Sequence, residues 1–273
     1  MVAGAAPETD PIASEPPMAE RWRFNARDFP YWLVAILGIL TWMLVLIVTD
    51  PTYTDAWDAI IPGFTTTISA TLYGFGFALV LGLLAGLGRI SRNVVLRNIA
   101  ITYIGFIRGV PILVLLFMTA YVVVPQLSST LGFENSSISF FPRAVFALAL
   151  IYGAYLAEVF RAGIESVPRG QMEAGRSLGL SHGQTMRRII LPQAVRNMTP
   201  ALGNDLIAML KDSSLLSVLA IREISQQARL YASSTFQFRP TYLVLTFLYL
   251  SMTLVLSLLL RWYRSRLGLD ESS

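Results

Sequence analysis

Six apolar stretches, each near the length that a helix needs to cross a bilayer, follow one another along this chain. A helix rises about 1.5 Å per residue, so about 20 mostly apolar residues span the hydrocarbon layer of a membrane. The stretches are Tyr31–Val48, Pro62–Gly88, Ile99–Val123, Pro142–Phe160, Thr199–Leu219 and Thr241–Trp262. This pattern predicts an all-α integral membrane protein with about six transmembrane helices.

Charged side chains interrupt the third, fourth and fifth stretches, as Arg108, Glu158 and Lys211 illustrate. Charges inside a membrane are costly, so they usually face the protein interior or a water-filled path and mark a functional site. A simpler interpretation stays open, in which Glu158 and Arg161 form a local helix pair at positions i and i+3. Lys211 and Asp212 allow a similar local or interhelical pair.

Small residues in the second stretch predict close helix packing. Gly82 and Gly86 lie one helical turn apart, and glycines at this spacing let two membrane helices approach closely. We therefore assign these glycines to packing within the bundle rather than to a ligand.

Composition agrees with a membrane protein. The chain has 273 residues, of which 54% are hydrophobic and 14% charged, whereas soluble domains carry about a quarter charged residues. It has no cysteine, which excludes disulfides and thiolate metal sites. The net charge of +4 reflects arginines on cytoplasmic loops, so we expect no nucleic-acid partner.

The distribution of arginines predicts the orientation in the membrane. Six crossings that start from a cytoplasmic N-terminus place most arginines inside, in agreement with the positive-inside rule. Both termini are then cytoplasmic. The exceptions are Arg222, Arg229 and Arg239, which fall in the outer segment Ala220–Pro240. That segment has the pattern of a surface helix, either interfacial or a docking surface for an external protein.

Between the fourth and fifth stretches lies a polar, basic loop with signals for two short helices. Pro168 suits the first turn of a helix, and Gly179 suits the position that ends it. Ser181 and Gln184 form a capping box that starts a second helix. Pro192 then bends or restarts the chain. These signals predict a compact helix–corner–helix protrusion.

The spacing of this loop resembles a known motif. Glu173-Ala174-Gly175 is followed after three residues by Gly179, and after nine more by Ile-X-Leu-Pro ending at Leu191 and Pro192. It resembles the EAA loop of permease subunits of bacterial ABC importers. Gly175 departs from the alanine that is usual there. Because glycine weakens a helix by about 1 kcal/mol, we expect a softer loop, with Ala174 and Gly175 as a small surface for a partner.

Other segments extend the resemblance to the polar amino-acid subfamily of these permeases, which includes the histidine, glutamine and arginine importers. The resemblance covers roughly residues 62 to 262, and the first apolar stretch is additional to the five-helix pattern common in that subfamily. The similar segments are Gly63–Ile68, Arg108–Pro111, Tyr155–Ile164, Leu191–Ala194 and Lys211–Leu215.

The resemblance implies a transport subunit that moves polar amino acids across the bacterial cytoplasmic (inner) membrane by alternating access. Its implied partners are two ABC ATPase subunits that bind ATP and Mg²⁺, an extracytoplasmic amino-acid-binding protein, and a second permease that is identical or homologous. No catalytic residue, metal or cofactor is expected in this chain itself. The implied ATPase-coupling residues are Glu173, Ala174, Gly175, Gly179, Leu191 and Pro192.

The same interpretation divides the chain into four parts. Residues 1–29 form a disordered cytoplasmic tail, because they are rich in proline, acidic and small residues. Residues 30–61 form the additional transmembrane helix and an outer loop. Residues 62–264 form the permease domain with its coupling loop at 165–196, and residues 265–273 form a cytoplasmic C-terminal tail.

A path for an amino acid needs groups that meet both a carboxylate and an ammonium. Arg108 and the hydroxyls of Ser213 and Ser214 suit the carboxylate, and Glu158 suits the ammonium. The candidate path residues are Arg108, Tyr155, Glu158, Arg161, Lys211, Asp212, Ser213 and Ser214.

Several other activities are excluded or disfavoured. Lys211 is the sole lysine and follows a leucine, so the chain has no P-loop and any ATP is hydrolysed by another subunit. A single histidine, His182, and no cysteine disfavour a catalytic zinc site or a serine–histidine triad. The alternative is an ion-coupled secondary amino-acid transporter, in which the intramembrane charges couple the ion. That class often has two related halves, and no convincing repeat is present.

Overall fold

The computed structural model describes residues 31–132 and 138–266, and within these ranges the chain is helical and contains no strand. The predicted tail at 1–29 and residues 267–273 of the predicted C-terminal tail lie outside the described residues. The helices are α1 (Tyr31–Thr49), α2 (Pro51–Ile60), α3 (Phe64–Arg89), α4 (Val94–Gly109), α5 (Ile112–Met118), α6 (Val124–Thr130), α7 (Phe140–Glu165), α8 (Arg169–Ser177), α9 (His182–Thr185), α10 (Leu191–Asp212), α11 (Ile224–Thr235) and α12 (Phe238–Arg266).

Among the described residues, five helical segments are long and apolar enough to cross a membrane, and the all-α membrane fold is confirmed. The segments are Tyr31–Thr49, Pro51–Arg89, Ile112–Thr130, Phe140–Glu165 and Phe238–Arg266. The predicted fifth crossing, α10, falls outside this set because it carries more polar side chains, as at Asn197 and Asp205.

The centre of the fold is the pair α3 and α7, which run parallel and touch through glycines. A Cβ atom built on Gly82 would lie 2.7 Å from the Cβ of Leu156, and one built on Gly86 would lie 2.9 Å from the carbonyl oxygen of Ala157. Gly74 faces Leu148 in the same register. The predicted packing role of Gly82 and Gly86 is confirmed.

The predicted third stretch is broken in the middle. Helix α4 ends at Gly109, and Val110 is extended because the proline at 111 disfavours a helical residue before it. Helices α5 and α6 follow, joined by a π-helical turn at Thr119–Val123. In this region Ile112–Thr130 is long and apolar enough to cross a membrane, and α4 is a separate helix before the break, so the predicted bounds Ile99–Val123 are wrong.

Helix α10 runs antiparallel to α7. Met198 lies 2.9 Å from a Cβ built on Gly163, near the end of α7, whereas Asp212 reaches Tyr152, near its middle. A 3₁₀ segment at Ser213–Leu219 then completes the predicted fifth crossing.

Outside the central pair, α2, α11 and α12 form a second apolar core. The predicted outer loop after α1 is mostly helix α2, since Asp50 caps it by accepting the N–H of Thr52 over 2.9 Å. The helix predicted within Ala220–Pro240 is present as α11, but it packs against α2 and α12 and buries Ile224, Gln226 and Ala228 instead of lying free on the surface.

Helix α1 lies at the edge of the bundle, against α2 and α12. Of its residues only Met43 and Ile47 are buried. Near its start the guanidinium of Arg261 sits 5.4 Å from the centre of the Trp32 ring.

Candidate functional site

The predicted loop forms a helical hairpin, which we define as residues 168–190. Its first helix, α8, ends in a Schellman motif, because the N–H of Gly179 bonds to Arg176 over 3.0 Å and that of Leu180 bonds to Gly175 over 3.2 Å. Gly179 has φ +82°, a conformation that glycine adopts without a steric cost. The glycine stop predicted at this position is confirmed.

The second helix of the hairpin starts at the predicted capping box. The N–H of Gln184 bonds to the Ser181 hydroxyl over 3.3 Å, and the N–H of Ser181 bonds to the Gln184 side chain over 2.8 Å. The Schellman motif and the capping box thus fix the end of the first hairpin helix and the start of the second.

Pro192 lies in the first turn of α10, as the predicted restart requires, and the bend stays a prediction. Helix α9, a π-helical turn at Met186–Ile190 and α10 follow one another without a break. In the π turn the N–H of Leu191 bonds to the carbonyl oxygen of Met186, five residues back instead of four. Pro192, which has no N–H to donate, follows directly after this turn. The second hairpin helix and α10 thus form one uninterrupted helical segment, which contains Pro192 and Pro200 and which we call the rod.

Gly175 has a different role from the one expected. It is buried, and a Cβ atom built on it would lie 2.5 Å from Cγ2 of Thr185 and 3.1 Å from Cδ1 of Ile189. The glycine therefore lets α8 pack tightly against the rod. It contributes to the interior of the hairpin rather than to a surface for a partner, and the softer loop stays a prediction.

The remaining predicted coupling residues lie on two different helices. Glu173 and Ala174 are exposed on α8, whereas Leu191 is half-buried and Pro192 exposed on the rod. At the base of the hairpin, Nδ2 of Asn197 donates to the Ser166 hydroxyl over 2.8 Å. This bond joins the end of α7 to the rod.

Glu158 is the centre of a charged cluster between α3, α4 and α7. Its carboxylate accepts from Nε of Arg161 over 2.9 Å, lies 3.3 Å from Nη1 of Arg108, and also pairs with Arg89. Arg161 pairs further with Glu165. The predicted pair of Glu158 and Arg161 is present, but as part of a larger network.

Sequence reasoning did not include Arg89 among the charged residues of the path. Arg89 and Glu158 are 69 residues apart in the chain, so no local spacing signals their contact. The parallel packing of α3 on α7 brings them together.

A chain of aromatic contacts links this cluster to α10. The guanidinium of Arg108 lies 5.8 Å from the centre of the Tyr155 ring, which lies 6.0 Å from the ring of Tyr152. The Tyr152 hydroxyl donates to the carboxylate of Asp212 over 2.8 Å. Tyr152 was missed as well, although it shares the three-residue spacing of Tyr155 and Glu158.

The interpretation of Lys211 and Asp212 as an ion pair is wrong. Asp212 turns to Tyr152, while Lys211 is exposed and forms no ion pair within the described part of the chain. Ser213 is buried and donates to the carbonyl of Leu210 over 2.7 Å, so its hydroxyl serves its own helix. Ser214 is half-buried.

One carboxylate oxygen in this region has no partner. Oδ2 of Asp205 is buried and makes no hydrogen bond to the residues that the structure describes. Asp205 lies two helical turns before Asp212, so both carboxylates project from one face of α10.

A groove between α7 and α10 passes beside the charged cluster. Its volume is about 470 Å³, and Glu158, Ser166 and Asn197 supply its polar lining. The groove connects the level of Glu158 with the base of the hairpin.

The chain matches known transport proteins over most of its length. Residues 78–269 match the family described as "Binding-protein-dependent transport system inner membrane component". The probable amino-acid permease protein YxeN of Bacillus subtilis is 40% identical over 210 residues, which are 74% of this chain and 92% of that protein. The glutamine transport system permease protein GlnP of Escherichia coli is 36% identical, with 77% and 95% coverage.

The fold also matches solved structures. A crystal structure of an amino acid ABC transporter with histidines superimposes with a TM-score of 0.69 and 34% identity, over 82% of this chain and 98% of the other. A chain of the MetNI methionine ABC transporter matches with a TM-score of 0.59 at 21% identity, which shows the likeness of the fold.

Proposed function

Because this chain belongs to the family of inner membrane components of binding-protein-dependent transport systems, we propose that it carries polar amino acids into the cell as the permease subunit of an ATP-driven importer. The chain is a transport subunit and not an enzyme. The observation that carries the proposal is the continuous rod, which joins the hairpin to Asp212 within the bundle.

The hairpin supplies the means of coupling to an ATPase. A rigid element can pass on a rigid-body motion that a flexible loop would absorb. Here the Schellman motif, the capping box and the Gly175 contact hold the hairpin rigid, and they leave Glu173 and Ala174 exposed for the ATPase.

The polar groups beside the groove support an amino acid as the substrate. Arg108 keeps 47% of its side chain exposed while it pairs with Glu158, so its remaining N–H groups are free for a carboxylate. The unpaired oxygen of Asp205 is buried here, and it becomes an acceptor for an ammonium in a conformation of the transport cycle that exposes it. We retain Tyr155, Glu158, Arg161, Lys211, Asp212 and Ser214 as path residues and remove Ser213, because its hydroxyl bonds to its own helix.

The proposed assembly contains two permease chains, two ATPase subunits that bind ATP and Mg²⁺, and an external binding protein. Helices α7 and α12 end on the hairpin side, where the arginines are concentrated, as at Arg169, Arg187 and Arg264. The positive-inside rule makes this side cytoplasmic and places both termini there. The named relatives favour this assembly over the ion-coupled alternative, since one is part of an ABC transporter.

Reconstitution tests the proposal. The permease, its co-purified ATPase and the external binding protein are placed in proteoliposomes, and uptake of labelled glutamine, histidine and arginine is measured with and without ATP. We expect uptake of at least one of them only with ATP and the ATPase. Uptake of an amino acid driven by an ion gradient without the ATPase would overturn the proposal.

A charge reversal at Glu173 tests the coupling role of the hairpin. We expect Glu173→Arg to lower ATP-driven uptake by about tenfold or more, because the exposed carboxylate contacts the ATPase. Gln171→Arg is the matched control, since residue 171 is exposed on the other side of the same helix and should keep most of the uptake. Equal uptake by the two variants would contradict the coupling assignment.

A further inference from the structure

One large apolar side chain of the hairpin is left in solvent. Leu178 is 81% exposed. The structure describes the whole hairpin, and its other large apolar side chains are less exposed than Leu178. Met172, Met186 and Ile189 contact the main core, Ile190 is buried, and Leu180 is half-buried. An isolated exposed leucine is common on soluble surfaces, so its exposure alone decides nothing.

The backbone holds Leu178 at a fixed position. Its N–H bonds to Ala174 over 3.1 Å, and the next two N–H groups close the Schellman motif. The side chain therefore stands at the tip of the protrusion, one helical turn beyond the exposed Ala174. A side chain presented on a rigid backbone loses little conformational freedom when it is bound.

The charges around Leu178 indicate the character of its partner. The hairpin carries four arginines (Arg169, Arg176, Arg187 and Arg188) against one glutamate, Glu173. A surface that receives the tip would pair an apolar pocket with an acidic rim, which is the usual arrangement of a buried anchor surrounded by polar contacts.

We propose that Leu178 is the apolar anchor of the hairpin and inserts into an apolar, acid-rimmed pocket of the ATPase subunit. This inference rests on the proposed function, since it requires an ATPase at the hairpin. It assigns affinity to Leu178, which sequence reasoning did not include among the coupling residues, and leaves recognition of the acidic rim to the four arginines.

The absence of cysteine from the chain permits a direct test. Leu178→Cys is labelled with an environment-sensitive fluorophore such as bimane, in the full-length permease in nanodiscs. We expect a blue shift of the emission when the ATPase subunit is added, because the label leaves water. Gly183→Cys is the control on the same hairpin, since a side chain there meets open space, and its label should shift much less.

Affinity measurements complete the test. Burial of a leucine side chain is worth about a tenfold change in affinity or more, so we expect Leu178→Ser to weaken ATPase binding by about that factor and Leu178→Met to retain it. Size-exclusion profiles and melting temperatures of the permease variants should match those of the wild type, because the exposed side chain contributes little to the fold.

The outcomes separate the two proposals. If the ATPase binds the wild type but Leu178→Ser binds equally well, or the label does not shift, the anchor is overturned and the proposed function stands. A blue shift in nanodiscs without the ATPase would assign Leu178 to the lipid surface and overturn the anchor. If the wild type binds no ATPase, the proposed function fails as well.

Discussion

Helices α7 and α1 are both long and apolar enough to cross a membrane, yet protein surrounds the first and leaves most of the second open. In the most apolar 18-residue window, 67% of α7 is buried and 11% of α1. Helix α7 is rich in alanine and glycine and carries polar groups, whereas α1 consists largely of leucine, isoleucine and valine. In lipid, apolar character does not distinguish core from periphery, and small and polar residues do.

The largest expected effect concerns α7, the helix that is surrounded by protein. Gly82→Leu should destabilise the permease by more than about 3 kcal/mol, because a side chain there would meet the backbone of α7. This loss is at or above the largest usual cost of inserting extra atoms into a packed core. A Cβ on Gly82 would lie 3.0 Å from the carbonyl oxygen of Gly153 and 3.2 Å from the amide nitrogen of Ala157. The measurement is the yield and melting temperature of monodisperse protein in detergent.

Gly76→Leu provides the matched control on the same helix. A Cβ at Gly76 meets nothing within 4 Å, so the leucine extends into open space and the protein should melt close to the wild type. If the two variants were equally stable, close packing of α3 on α7 would not be what holds the core together.

A smaller effect concerns the second apolar core, which α2, α11 and α12 form. The buried carboxylate of Glu223 accepts the N–H groups of Ser225 and Gln226, over 2.9 and 2.7 Å, and the hydroxyl of Tyr249 over 3.1 Å. Glu223→Ala leaves these donors without a partner and should lower stability by about 1–3 kcal/mol. Glu223→Gln keeps an acceptor of the same size and should lower it less. Melting temperatures that do not differ between the two variants would contradict the capping role.

The same residue predicts a pH dependence. Burial raises the pKa of Glu223, against hydrogen bonds that lower it. A carboxyl whose pKa is higher in the folded than in the unfolded chain contributes stability that is complete below the unfolded pKa and is lost as pH rises through the folded pKa. The melting temperature of the wild type minus that of Glu223→Gln should therefore fall as pH rises through this window. A difference that grows would reverse the sign and contradict the burial argument.

The smallest expected effect concerns α1, the helix that is left mostly open. Trp32→Ala removes the contact with Arg261 and should cost about 0.5–1 kcal/mol, the usual value of an exposed cation–π contact. Limited proteolysis of α1 measures how firmly it stays attached. Trp42→Ala, also exposed on α1, should leave the cleavage rate unchanged. Equal rates for both variants would show that the contact of Trp32 with Arg261 does not help to hold the helix.

The features that were predicted correctly from sequence are local ones. The stop at Gly179 and the capping box of Ser181 and Gln184 depend on residues within one helical turn of each other. The lengths of the first, fourth and last apolar stretches are likewise properties of single segments, and they agree with the helices Tyr31–Thr49, Phe140–Glu165 and Phe238–Arg266. The cap of α2 at Asp50 and the break before the proline at 111 are also local, and closer attention to these signals would have found them.

The features that were missed depend on contacts between distant segments. Gly175 looked like part of a partner surface, because nothing near it in sequence reveals that Thr185 packs against it. Arg89 joins Glu158 through the packing of two helices, and Asp212 prefers Tyr152 to its neighbour Lys211. Helical periodicity predicts which residues share a face, but it does not predict what that face meets.

The unbroken rod has a mechanical consequence. Its contour from His182 to Asp212 is about 46 Å at 1.5 Å per residue, so a tilt of about 5° of the whole segment about its hairpin end would move the other end by at most about 4 Å. That displacement exceeds the 2.8 Å reach of the bond between Tyr152 and Asp212. A slight movement of the hairpin would thus be amplified along this lever into the release of a single hydrogen bond within the helical bundle.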